Sequence, residues 1–139
     1  MILSGTKDGQ VCLWDTDMQI LISQKHVHSG MVNDVKFSPD GQRVLSCGED
    51  HFMRVMDVHS GTEVYAKDAG EELRCLSWDG SVVLAGMQSG YLLIWDFARV
   101  KVLNKVKGHD GAITAIDCSC NGGTVLTGGE DRKVIMWKI

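Results

Sequence analysis

No apolar run in this 139-residue sequence approaches the roughly 20 residues a membrane-crossing helix needs. The first residues lack a basic start followed by an apolar stretch, so nothing addresses the chain to secretion. A surplus of positive charge is missing too, with 14 lysines and arginines against 18 aspartates and glutamates, a formal charge of −4. Grip on phosphate backbones scales with the cations that displace counterions, which excludes nucleic acid as the main partner. Regular cysteine spacing is absent. Five cysteines, an odd number, lie mostly inside apolar patterns and read as reduced thiols of a cytoplasmic protein. Catalytic and nucleotide signatures are lacking as well: no Gly-x-Ser-x-Gly turn occurs, and Gly128-Gly129 is not followed by Gly-Lys-Ser/Thr. Two metal candidates remain, Cys118-Ser119-Cys120 and His26-Val27-His28 with Asp50. Neither has a third and fourth ligand at suitable spacing, and Cys118 aligns with the buried positions Phe37 and Trp78, so no metal and no cofactor are expected.

What the sequence does hold is repetition. The stretch from Gly108 to residue 139 opens on Gly-His, carries Thr127 on one apolar run, places Asp131 in the following turn and puts Trp137 on a second apolar run. The intervening segments are strand-length and bounded by turn residues, Cys120-Asn121-Gly122-Gly123 and Gly129-Glu130-Asp131-Arg132. Aligned on the turn acid, Asp8, Asp50, Ser89 and Asp131 lie 42, 39 and 42 residues apart, the period of a repeat architecture. Ile2-Leu3-Ser4, Val44-Leu45-Ser46, Val83-Leu84-Ala85 and Val125-Leu126-Thr127 share one column, and Trp14, Met56, Trp95 and Trp137 another. His28 precedes Asp50 by the same 22 residues that separate His109 from Asp131. Asp8-Gly9, Ser38-Pro39-Asp40-Gly41 and Asp79-Gly80 have the composition of tight turns.

With its Gly-His opening at Gly108-His109 and Trp-Asp closing at Trp95-Asp96, varied to Trp137-Lys138, the repeat resembles the WD40 family. That resemblance implies an all-β fold of propeller blades. Residues 1-27, 28-67, 68-107 and 108-139 are read as blade pieces, fourteen strands or about three and a half blades. The first piece lacks its innermost strand and the last its outermost, giving an open arc of a larger propeller, with the remainder in a longer parent chain. The resemblance further implies a structural tetrad in which His109 links Asp131 to Thr127 and Thr127 receives Trp137. His28, Ser46 and Asp50 repeat it without the tryptophan, which Met56 replaces. Ser4, Asp8 and Trp14 form a partial set in the first piece, and Trp95 alone remains in the third, beside Ala85 and Ser89. The order VHSGMVNDVKFSPD, MDVHSGT, LRCLSWDGSVVLAG and TGGEDRKVIMWKI is similar to the C-terminal propeller of BEACH–WD40 proteins.

That likeness implies a non-catalytic scaffold or adaptor of signalling or trafficking, cytoplasmic or held at membranes through a partner, which could be a receptor cytoplasmic tail. The alternatives are a WD40 substrate receptor of another complex, such as a ubiquitin ligase, and, more remotely, a hydrolase using His109, Thr127 and Asp131 as a triad. In the WD40 family, contacts come from residues flanking the first apolar residue of the inner strand and from the residue before the turn acid. Here those are Met31 and Asn33, Glu72 and Arg74, Ala112 and Thr114, with Lys7, Glu49, Gln88 and Glu130. Three glutamates among them favour a basic or hydrogen-bonding peptide.

Overall fold

A computed structural model describes residues 1–119 and 123–138. The described residues form fourteen strands and no helix, each bounded by turn residues too closely spaced for helical periodicity. The first sheet is β1 (Ile2–Gly5), β2 (Gln10–Asp15) and β3 (Ile20–His26). The second is β4 (Val32–Phe37), β5 (Arg43–Gly48), β6 (Phe52–Asp57) and β7 (Glu63–Asp68). The third is β8 (Leu73–Asp79), β9 (Val82–Met87), β10 (Tyr91–Asp96) and β11 (Lys101–Lys107). The fourth is β12 (Ile113–Cys118), β13 (Thr124–Gly129) and β14 (Val134–Lys138). All four are antiparallel meanders in chain order, the form of propeller blades. Of the turn over Cys120-Asn121-Gly122-Gly123, the first three residues lie outside the described residues, as does position 139.

The register makes the sequence columns physical. Ile2 pairs with Trp14, Val44 with Met56, Val83 with Trp95 and Val125 with Trp137. One tryptophan-column residue therefore stands across from the same β-branched column in every blade, and the Ser/Ala/Thr column lies two residues on, on the same face.

The chain divides into two compact units, Met1–Glu72 and Leu73–Ile139. In the first, Val11, Val32 and Val44 are buried together, with Leu3, Val35 and Phe37 against them. In the second, Cys75, Leu84, Leu92, Ile113 and Val125 make the core, joined by Ile116 and Trp137. Each core is the seam between two sheets, because neither sheet can bury its apolar face alone.

Backbone bonds fix each seam. The carbonyl of Gly9 accepts the N–H groups of Val27 and His28, and that of Gly90 accepts those of Gly108 and His109. Both glycines have φ of 89°, and a Cβ at either would run into the backbone carbonyl of His28 or His109. Only glycine allows that approach.

Candidate functional site

The polar interior of each blade is built on the strand pair β13–β14 and its counterparts. In the last blade His109 and Thr127 are both buried to 1% exposure. His109 Nδ1 lies 2.8 Å from Asp131 Oδ1 and Nε2 lies 2.8 Å from Thr127 Oγ1. The carboxylate can only accept, so Nδ1 carries the proton, Nε2 accepts from the threonine hydroxyl, and the threonine oxygen receives the Trp137 indole N–H at 2.9 Å. The second blade repeats this as far as its residues permit. His28 Nδ1 sits 2.9 Å from Asp50 Oδ1 and Nε2 2.7 Å from Ser46 Oγ. Met56 has no N–H to give, so the Ser46 oxygen has no indole donor. In the first blade Trp14 donates to Ser4 Oγ at 2.9 Å, while Asp8 accepts from the Thr6 hydroxyl. Asp8 is thus tied within its own turn and not to a histidine. In the third blade Ala85 brings Trp95 no hydroxyl, and the indole packs edge-on against Phe97 at 5.6 Å.

Burial and hydrogen bonding set the charge states. Burial holds the His28 imidazole below its ordinary 6.5, outweighing the Asp50 carboxylate, which keeps the ring neutral as the bonding pattern requires. The hydrogen bond from His109 draws the Asp131 carboxyl down to about 2, opposed by burial and helped by the backbone N–H groups of Asp110 and Lys133. At Asp50 burial pushes upward, but bonds from His28, Phe52 and Ser29 leave the carboxyl lowered. A carboxyl lowered in the folded state adds stability that is complete above its unfolded pKa and is lost as pH falls through the folded value. The denaturation midpoint should therefore fall as pH drops from about 4 toward 2. Asp131→Asn should flatten that dependence in part, since Asp8, Asp40, Asp50 and Asp57 are lowered as well. A pH series of urea melts on both proteins reads this directly.

Asp131, His109 and Thr127 stand at the distances of a nucleophilic triad, yet the hydroxyl is sealed from solvent and already accepts the Trp137 indole N–H. Both ring nitrogens of His28, one of the metal candidates, are engaged in hydrogen bonds to Asp50 and Ser46. Cys118 Sγ lies 3.2 Å from Ser77 Oγ, and Cys120 of the proposed pair lies outside the described residues.

Each unit also has candidate contact positions on the rim at the start of its inner strands. Register slips there in all three complete inner strands: between Val32 and Asp34, between Leu73 and Cys75, and between Ile113 and Ala115. The extra residues are Asn33, Arg74 and Thr114. A bulge bends its strand and re-aims a side chain, so one device repeats at three of the residues the sequence marks for contact. The spacing of the flanking apolar residues, Val32/Val35, Leu73/Leu76 and Ile113/Ile116, is three where a regular strand requires two. That was the signal for the bulges, and alternation alone passes over it.

The rim side chains are engaged. In the first unit Asn33 Nδ2 donates to Glu72 Oε1 at 3.0 Å, and Glu49 Oε1 accepts the Met31 N–H at 2.9 Å. In the second, Arg74 Nη1 donates to Gln88 Oε1 at 2.9 Å and to Glu130 Oε1 at 3.3 Å. Lys7, Glu49, Gln88, Thr114 and Glu130 are exposed, while Met31 and Glu72 are half-buried. Ala112 corrects its sequence reading. It is buried to 1% and its carbonyl holds the Glu130 N–H, so it shapes the rim from beneath.

Sequence reading missed what the aspartate of Trp-Asp does. Asp15 Oδ1 accepts the N–H groups of Asp17 and Met18, Asp57 those of His59 and Ser60, and Asp96 that of Arg99. Each closes the turn into the outer strand. Lys138 cannot accept in that way.

Comparison with known proteins places these features. The family model described as WD domain, G-beta repeat, matches residues 19–57 and 100–138. Each match runs from the outer strand of one blade through three strands of the next, so the sequence repeat is offset by one strand from the sheet. A guanine nucleotide-binding protein subunit beta of Oryza sativa subsp. indica is 31% identical over 152 residues, covering 99% of this chain and 40% of the relative. Autophagy-related protein 16 of Arabidopsis thaliana is 30% identical over 134 residues, 94% of this chain and 26% of the relative. The chain thus spans well under half the length of these curated relatives. Among solved structures, the computationally designed proteins Ika4 and Ika8 superpose with TM-scores of 0.83 and 0.82. Both are 24% identical and cover 99% of this chain, and the match spans 84% and 42% of theirs.

Proposed function

The chain belongs to the WD40 family of WD domain, G-beta repeats, and from that premise we propose that it is a non-catalytic protein-interaction module whose bulged rim positions hold a partner. The repeated bulge at Asn33, Arg74 and Thr114 carries the reading, since three inner strands spend ladder hydrogen bonds to turn one side chain each to the rim. The partner we favour is a basic or hydrogen-bonding peptide. Glu49 and Glu130 are exposed, and each holds its neighbour through a single oxygen, leaving the other to accept from a ligand. The Arg74–Glu130 contact and the Met31 N–H to Glu49 would position these acceptors.

The chain's length relative to the proteins it resembles favours a larger propeller around it. The finer reading is the C-terminal propeller of a BEACH–WD40 adaptor, such as the factor associated with neutral sphingomyelinase activation, working in the cytoplasm or at a membrane through a receptor tail. It rests on the motif order alone. No helix among the described residues is long and apolar enough to cross a membrane. A substrate receptor of a ubiquitin ligase would use the same rim, and the sequence preceding Met1 in the native transcript separates the two, because a BEACH domain precedes the propeller in the first.

The rim is tested by reversing Glu49, Glu72 and Glu130 to lysine in the native protein and comparing the proteins that co-purify with it quantitatively. Selective loss of a partner by tenfold or more, with an unchanged melting profile, is the expected result. An identical set of partners at equal yield would discard this face.

A further inference from the structure

The first unit departs from the second at one place in its seam. The register aligns Met56 with Trp137 and Arg54 with Ile135, and Lys25 with Val106, while Val27 precedes His28 as Gly108 precedes His109. In the last blade the Trp137 ring lies directly on Gly108, where an added Cβ would run into it, and Ile135 sits beside the pair. In the first unit the narrower Met56 and the bulkier Val27 take those positions. Between them opens a cavity of ≈ 330 Å³, lined also by Lys25, His26, Arg54 and Glu63.

The wall is cationic where the matching positions of the second unit, Val106 and Ile135, are apolar. The Lys25 ammonium reaches from the first blade to the turn of the second, since a Cβ on Gly61 would meet its Nζ at 2.7 Å. Among the described residues Lys25 makes no hydrogen bond or ion pair. His26 adds an exposed imidazole to the same wall. Arg54 donates from Nη1 to Glu63 Oε1 at 2.6 Å and lies 4.5 Å over the Phe52 ring, while its Nε N–H is buried without an acceptor. The carboxylate in the wall is thus committed to Arg54, and Asp57, which borders the adjoining hollow, is occupied by the N–H groups of its own turn. The charge of Lys25 is left uncompensated.

We propose that this cavity binds the phosphate group of a small phosphate ester, with Lys25, His26 and Arg54 as its donors. Donors supplied by three separate residues suit the tetrahedral oxygens of phosphate, whereas a planar carboxylate is satisfied by one fork. A dianion offsets the charge of Lys25, and the guanidinium gains an acceptor that its buried N–H lacks. The volume lies near the lower end of the range for ligand pockets and suits a phosphate with a short ester group. None of these residues is among the rim positions, so the site is separate from the peptide-binding face and its failure would leave that face standing.

The test titrates the full chain with inorganic phosphate and with glycerol 3-phosphate at constant ionic strength, following the amide resonances of Val27 and Gly61. Saturable shifts are expected with both, and acetate should bind at least about tenfold more weakly. Lys25→Gln, at an exposed position, should weaken phosphate binding about tenfold with the melting midpoint unchanged, and Arg54→Gln should weaken it as much. Val27→Gly combined with Met56→Trp rebuilds the Gly108–Trp137 pair, closes the cavity and should abolish binding in a protein that still melts cooperatively. Lys105→Gln, which removes an exposed cation of the second unit, should change nothing. Shifts that grow without saturating, binding that survives the double replacement, or equal losses at Lys105 and Lys25 would overturn the cavity as the site. Acetate bound as tightly as phosphate, or inorganic phosphate bound without its glycerol ester, would overturn the phosphate ester as the ligand.

Discussion

Replacing His109 by alanine should lower the free energy of unfolding by about 3 kcal/mol, a large share of what holds a domain of this size together. The ring is 1% exposed and bonded at both nitrogens. Its removal leaves a cavity and strands the buried Thr127 hydroxyl without its acceptor, at about 1–3 kcal/mol for such a group. Thr127→Val keeps the volume but strands His109 Nε2 and the Trp137 indole N–H together, and should cost about 2 kcal/mol. Ser46→Ala in the second blade should cost less than Thr127→Val, because Met56 brings no donor to be stranded. Urea melts with unchanged m-values give all three differences. A loss below about 0.5 kcal/mol for His109→Ala would show that the buried chain of hydrogen bonds does not hold the blade. The triad reading expects the reverse pattern, a folded protein with a lost reaction.

The blade interior was legible in the sequence because its residues are tied to the repeat. Asp131, His109, Thr127 and Trp137 recur at fixed spacings, and antiparallel pairing with a period of two turns those spacings into contacts. The pattern Ile2-Leu3-Ser4 against Trp14 gave the register of a blade that lacks its inner strand. Side chains that answer to neighbours outside the repeat were less legible. Asp8 occupies the acid column, and with no entry histidine in the first piece its carboxylate accepts from the threonine two residues earlier, a local bond that column alignment does not weigh. Rim charge was legible in sign and not in pairing, since Arg74 reaches a glutamate 56 residues away. Val100 stands at φ 53° in the turn where the second blade has Gly61 at 68°. A β-branched residue in that region is strained, and nothing in its composition announces the turn.

Ile113→Ala is the other large effect, at about 4 kcal/mol, within the range for emptying a fully buried aliphatic site. Ile113 is 0% exposed and lies over Gly86, in a core shared with Cys75, Leu84, Leu92 and Val125. Its cavity closes poorly, because the surface beneath is β9 backbone held on both sides by β8 and β10 and cannot sink to meet an alanine. Val32→Ala, at the matching position of the first unit, removes fewer atoms from an 8% exposed site and should cost about 2 kcal/mol. Val134→Ala, on the uncovered face of the fourth blade, should stay within about 0.5 kcal/mol. Amide exchange distinguishes the first two by place: Ile113→Ala should speed exchange first between Leu73 and Lys138, and Val32→Ala between Ile2 and Glu72. Equal losses at Ile113 and Val134 would mean that the seam between β9 and β12 is not where the second unit gains its stability.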